Sequence, residues 1–282
     1  MSNHAITEEM TARTLLDTSC VAVHDVCCQG LVTEAVDDEC VDETHFVFAY
    51  RGVFVRHVAG EDVVAEANQV LFFNADEPYR VSHPVPGGDD CLDLVVNESL
   101  LRELMPRHLL RQGRQVSIRP TRLRIDPRAQ ALVALLRHGL RHGTAETLEA
   151  ESLALTLVRR SLGSAATATT GATDARRRLV DRTKLVLAGD LARRWTLGDL
   201  AAAVGHSGVY LTQVFQQVEG VPLYRYHLRL RLARALDLIA KYDDLTALGL
   251  DLGFSSHSHF TTAFSRVFGR PPSAFRSTAT RR

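Results

Sequence analysis

Two glycines, Gly205 and Gly253, stand 48 residues apart, and the chain repeats one design around each. In the first copy Thr196 is a good N-cap before Leu197, with Asp199 at the third helical position and Leu200, Ala201 and Val204 on the apolar face. Gly205 is suited to the left-handed conformation that ends a helix, and Ser207 caps a second helix running to about Gln217. In the second copy Leu245, Leu248 and Leu252 supply the apolar face, Gly253 the turn, Ser255 or Ser256 the cap, and a helix continues through Phe268. Between them, Tyr224 to about Lys241 reads as one helix with Leu228, Leu232, Ala235, Leu236 and Ile239 inward. At about 1.5 Å per residue it is roughly 25 Å long. A stiff helix joining two helix-turn-helix units can present both to one side of a duplex, where successive major grooves lie about 34 Å apart.

Charge divides the chain in the same place. Its formal net charge is zero, yet from Asp174 to Arg282 there are 17 Lys+Arg against 9 Asp+Glu, so the preceding part is acidic. That asymmetry predicts that only the C-terminal part meets a polyanion. Residues 164–173, all small, read as a flexible linker and predict a boundary between a front domain, 1–163, and a DNA-binding domain, 174–282. A length of 282 residues accommodates both cores. Just past the linker, Leu179, Val180, Leu185, Val186, Leu187 and Leu191 predict a first helix, with Trp195 near its end.

The front domain has a different rhythm. Val21–Val23, Phe46–Phe48, Val53–Val55, Val70–Phe73 and Leu92–Val96 are short runs rich in β-branched and aromatic residues, separated by Gly, Asn, Asp and Pro, as in a sandwich or small barrel. From about Asp126 the period lengthens: Ala131, Leu132, Leu135, Leu136 and Leu140 form one helical stripe, and Leu148, Leu153, Leu157 and Val158 a second. These two helices either cap the barrel or also pack on a second subunit.

The C-terminal residues resemble the AraC/XylS family of bacterial transcription regulators. The likeness rests on Leu197-Gly-Asp-Leu-Ala201, Gly205, Ser207, Leu211, Phe215 and Gly220-Val-Pro-Leu-Tyr-Arg-Tyr226, then on Arg229-Leu-Arg-Leu-Ala-Arg-Ala-Leu236 as the connecting helix. Its most specific stretch is Leu252-Gly-Phe-Ser-Ser-His-Ser-His-Phe260, continued by Phe264, Phe268-Gly269, Pro272 and Phe275-Arg276. Arg51-Gly52 and the turn Asn74–Tyr79 resemble the cupin-like sensing domains of such regulators. The resemblance implies an α+β chain: a cupin-like β-barrel followed by two helices, then an all-α domain with two helix-turn-helix units. It further implies a non-enzymatic, effector-responsive regulator whose partners are double-stranded DNA, a small-molecule effector, a second copy as a homodimer, and RNA polymerase.

In each unit the second helix is the one expected in the major groove. With Leu211, Val214 and Phe215 inward, Tyr210, Thr212, Gln213 and Gln216 are the base-reading candidates; Gln213 matches adenine N6/N7. With Phe260, Ala263, Phe264 and Val267 inward, Ser256, His257, Ser258, His259, Thr262 and Arg266 face out, and the family likeness implies phosphate contacts for the Ser-His-Ser-His stretch. His257 and His259, two apart on a helix, point about 200° from each other and do not suit one metal. Arg225, Arg229, Arg231, Arg234, Arg270 and Arg276 either solvate the surface or contact phosphates.

For the front domain the effector candidates are Arg51, Arg56, His57, Tyr79, Arg80 and His83, polar groups on or beside strands. Each can equally be an outward-facing strand residue. No cofactor is expected: His24, His45, His57 and His83 are scattered and lack the His-x-His spacing of metal-dependent cupin enzymes. Cys20, Cys27, Cys28, Cys40 and Cys91 all fall in the first third, either as a thiolate site for a soft metal or oxidant, or as buried small hydrophobes. Neither a signal peptide nor a membrane span is legible, so the expected location is the cytoplasm, where thiols stay reduced.

Overall fold

The structure is a computed structural model that describes residues 10–30, 38–111, 115–163 and 172–279. Nearly all of the expected linker, 164–171, lies outside the described residues. Nine strands come first: β1 (Met10–Asp17), β2 (Val21–Cys28), β3 (His45–Arg51), β4 (Phe54–Val58), β5 (Glu61–Ala65), β6 (Gln69–Phe73), β7 (Tyr79–Ser82), β8 (Asp89–Val96) and β9 (Arg122–Arg124). They form a six-stranded sheet, β1-β2-β8-β3-β6-β9, and a three-stranded sheet, β5-β4-β7, with every pairing antiparallel. The front domain is thus built from two sheets, with four strands beyond the five apolar runs.

Strand alternation gives these sheets two cores. Ala49, Leu71, Phe73 and Cys91 of the larger sheet meet Phe54, Val58, Val63, Ala65 and Tyr79 of the smaller one. On the larger sheet's other face, Val23, Phe46, Phe48, Phe72, Leu92 and Leu94 are covered by helices α1 (Glu98–Leu104), α2 (Pro127–Arg141) and α3 (Thr147–Gly163). Burying a large apolar side chain contributes about 1.5–3 kcal/mol, so this layer anchors the front domain. Leu148, counted in the second helical stripe, is 74% exposed because α3 has only just begun there, and Ala150 and Ala154 take the inward positions.

The remaining helices are α4 (Asp174–Gly189), α5 (Leu197–Val204), α6 (Gly208–Glu219), α7 (Leu223–Leu238), α8 (Leu245–Asp251), α9 (His257–Phe268) and α10 (Pro272–Ala279). Leu179, Val180 and Leu187 of α4 build the first unit's core with Leu200, Val204, Leu211 and Phe215. Leu236, Leu248, Phe254, Phe260, Phe264 and Phe275 build the second.

Helix α2 has a neighbour that neither expectation for it named. Beyond the sheet its apolar surface is covered within the chain, where Ala131, Ala134 and Leu135 pack into the second unit's core. Helix α4 likewise has two faces, with Leu185 and Ala188 lying against Val53, Val55 and Val64 on the outside of the small sheet. Among the described residues no helix is long and apolar enough to cross a membrane.

Candidate nucleic-acid interface

Each unit is fixed at its turn by local chemistry. Thr196 accepts from the Asp199 backbone N–H while the Asp199 carboxylate accepts from the Thr196 N–H, a reciprocal cap at the start of α5. The serine caps follow: Tyr210 N–H donates to Ser207 Oγ at 3.3 Å, and His259 N–H donates to Ser256 Oγ at 3.1 Å. Ser256, rather than Ser255, is therefore the cap. At Gly253 φ is +79°, and an added Cβ would lie 1.9 Å from the Ala192 carbonyl oxygen, so the second turn needs glycine for conformation and for space.

The caps present two polar faces to solvent. Tyr210, Gln213 and Gln216 on α6 are exposed; Thr212 is half-buried and its hydroxyl donates to the Val209 carbonyl at 2.9 Å. On α9, Ser256, His257, Ser258, His259, Thr262 and Arg266 are all exposed. His259 Nδ1 lies 3.0 Å from Ser255 Oγ and its ring packs on Phe254, whereas His257 Nε2 is 3.3 Å from Thr261 Oγ1. The two imidazoles thus have different neighbours.

Arginines join the units into one body. Arg231 is 9% exposed and donates to the carbonyls of Leu191, Ala192, Arg193 and Gly253. Arg194 donates to the Gly253 and Phe254 carbonyls from the other side. Both carry charge to backbone oxygens left over at helix ends, where a cation is well placed. Arg234 pairs with Asp237, Arg276 donates to the Tyr242 and Asp243 carbonyls, and Arg270 lies over Phe275. Arg225, exposed beside Tyr224, and half-buried Arg229 complete the set.

The front domain reaches both units. Arg122 and Arg124 of β9 pair with Asp181 of α4 at 3.3 Å and Glu219 at the end of α6 at 2.9 Å; Lys184 lies 2.6 Å from Glu219. Burial alone would raise the Glu219 carboxyl, but Lys184, Arg122 and Arg124 outweigh it and hold the group at about 2. On α2, Arg137 pairs with buried Asp237 of α7 and lies 4.0 Å from the Tyr50 ring centroid, while Tyr50 donates to Asp25 at 2.6 Å. His138 is 3.1 Å from the Leu236 carbonyl; burial, then Arg137, lowers it to about 4, so the neutral ring donates that bond.

The six effector candidates do not share one site. Arg56 and Tyr79 meet inside the sandwich, where the Arg56 guanidinium lies 4.1 Å from the Phe73 ring centroid and 5.4 Å from that of Tyr79, and 3.4 Å from Glu77. Arg51 pairs with Asp90, His57 with Asp62 and Ser82, exposed Arg80 with Asp38, and His83 with Asp89. An open cleft of about 360 Å³ lies elsewhere, between the front domain and the first unit. Arg111, Arg119, Arg122, Arg124 and Arg177 line it with Glu77 and Glu219, residues the sequence reading did not single out. Nor do the five cysteines gather. Burial and Asp90 push Cys27 up to about 11, and burial raises Cys91, so neither is an activated thiolate.

Residues 200–278 match the family model of a helix-turn-helix domain. This part of the chain is a helix-turn-helix domain. Over 105 residues, 37% of the chain, it is 32% identical to the uncharacterized HTH-type transcriptional regulator YidL of Escherichia coli (strain K12). The chain spans about a third of that curated relative's length, 35%. Among solved structures, an AraC-type regulator from Chromobacterium violaceum is 25% identical, with 39% of this chain and 98% of that one covered and a TM-score of 0.36. ToxT from Vibrio cholerae O395 is 11% identical, with 98% and 100% covered and a TM-score of 0.37. Scores at this level carry no argument about how the two parts of the chain are arranged.

Proposed function

We propose that the protein is a transcription regulator that binds double-stranded DNA sequence-specifically in the cytoplasm. In this reading residues 174–282 read the duplex through α6 and α9, and residues 1–163 are a cupin-like sensing domain. The observation that carries it is the pair of capped, solvent-facing polar helices locked into one body by Arg231 and Arg194. Gln213 and Gln216 suit adenine edges, and Arg266 suits guanine or phosphate. The relative's description as a transcriptional regulator supports the same reading.

The effector in this proposal is a small anionic molecule in the arginine-lined cleft. There it would compete with Glu219 for Arg122 and Arg124, and so act on the end of α6. A homodimer that contacts RNA polymerase completes the proposal; with the outer surface of α2 covered by its own chain, the pairing surface falls to the exposed edge of α3 around Leu148.

Selection of full-length protein against a random duplex library tests the core of this reading. The expected product is a two-part site whose halves lie about 10–10.5 base pairs apart, one helical turn. Recovery of unenriched sequence, with binding that depends on salt alone, would contradict it.

A further inference from the structure

The end of β2, the loop after β7 and the start of β8 bring three different donors together. Cys28 and Asp89 are cross-strand partners in the β2–β8 register, and His83 follows β7 directly. One ligand atom from each, sulfur, nitrogen and oxygen, lies within 4.8 Å of the other two. Among the described residues this is the only such group of three or more potential ligands. His83 and Asp89 are buried and Cys28 is half-buried, so the cluster opens to solvent on the thiol side.

The surroundings are built to hold it. His83 Nε2 is 2.8 Å from Asp89 Oδ1, and the Cys91 thiol donates to Asp89 Oδ2 at 3.3 Å, fixing the carboxylate from behind. Gly88 has φ +63°, and a Cβ there would stand 2.0 Å from the Cys28 carbonyl oxygen, so glycine lets the loop close on Cys28. A His83–Asp89 ion pair explains two of the three residues. The Cys28 thiol is hydrogen-bonded to the His83 imidazole as well, so thiol, imidazole and carboxylate form one contiguous donor set around the ring.

We propose that Cys28, His83 and Asp89 bind a divalent cation of borderline softness, with zinc the best match to one sulfur, one nitrogen and one oxygen donor. Bound zinc sits about 2.0–2.3 Å from such donors, which places them roughly 3.3–3.8 Å apart, so side-chain adjustments of about 1 Å complete the site. Three protein ligands leave a fourth position open on the solvent side. Zinc binds the thiolate and the neutral imidazole, so any proton held on those ligand atoms passes to solvent. The site uses one cysteine, not five, and it does not depend on the regulatory reading. Two residues beyond His83, Val85 packs with Leu185 and Ala188 of α4, which puts the site one loop away from the DNA-binding part.

The test is competition for Zn²⁺ between the full-length protein, kept reduced with a phosphine, and a chromophoric chelator, with Co²⁺ as a second probe. One zinc per chain is expected, with affinity at least tenfold lower in Cys28→Ser and in His83→Gln, and unchanged in Cys20→Ser and Cys40→Ser. Cobalt should give a near-ultraviolet sulfur-to-metal charge-transfer band that Cys28→Ser abolishes. Absence of stoichiometric zinc and of the cobalt band in the unmodified protein overturns the proposal, as does binding that survives Cys28→Ser intact.

Discussion

At the first helix-turn-helix unit the front domain presents charge, with Arg122 and Arg124 gripping Asp181 and Glu219 beside an open cleft. At the second it presents apolar surface, with Ala131, Ala134 and Leu135 in the core around Phe260 and a single buried pair, Arg137–Asp237, at its edge. The two contacts should answer to different agents. Ions or an anionic ligand can reach the first, because its pairs border water and are exchangeable. The second is held by desolvation, which salt does not weaken, and it yields only when packing is lost. A chain gripped in this way has one adjustable unit and one fixed one.

The largest expected effect is at the fixed contact. Asp237→Ala strands Arg137 and Arg234 and should lower unfolding stability by about 3–5 kcal/mol in urea titration. Arg137→Met combined with Asp237→Leu should recover most of that loss, because no uncompensated buried charge remains.

Acid should act on the second contact and also within the helix-turn-helix part. His138 on α2 and His227 on α7, whose Nε2 lies 3.0 Å from the Leu191 carbonyl, are each lowered to about 4, chiefly by burial and then by Arg137 and Arg231 respectively. The unfolded chain therefore binds protons near pH 6.5 that the folded chain refuses until about pH 4. Stability is full above pH 6.5 and falls as pH drops toward 4, by about 3 kcal/mol per histidine at 1.4 kcal/mol per pH unit. Thermal midpoints measured across that range should flatten for His138→Gln and His227→Gln; an unchanged slope in both would remove this account.

Glu219→Ala should cost less, about 2 kcal/mol, since buried Lys184 keeps Asp181 at 3.5 Å while Arg122 and Arg124 can turn to the water in the cleft. Equal losses in Glu219→Ala and Asp237→Ala would break the contrast between the contacts. Smallest of all, Ser207→Ala and Ser256→Ala should each cost about 1 kcal/mol, because the two units share one capping chemistry although their settings differ.

That shared chemistry is why the DNA-binding part was so legible in sequence. Caps, turn glycines and apolar spacing are local, and the serine at position 207 or 256 needs only its own helix to act. The long-range ties were not legible. Arg231 spends its donors on backbone carbonyls that no sequence pattern announces, and on an amphipathic helix it reads like any surface arginine. Strand β7 has four residues, β9 three, and the exposed edge strand β1 mixes Thr and Arg with Leu, so none carries a clear apolar alternation. Arg122 and Arg124 gain their meaning only when β9 is seen against α4 and α6. Cys28 and His83 were candidates in sequence, but for different sites; their grouping with Asp89 stays hidden, at separations of 55 and 6 residues, until the β2–β8 register joins the ends.

The most direct test of the central claim, that both units read bases, is to map the positions of the selected DNA site that relax in two variants. Gln213→Ala should loosen sequence preference in one half-site and Arg266→Ala in the other, each by about 1–3 kcal/mol at the affected base pairs, with the two positions about one helical turn apart. If both variants relax the same half, or Arg266→Ala only lowers affinity evenly across all sequences, then only one unit specifies the site and the account of paired reading is wrong.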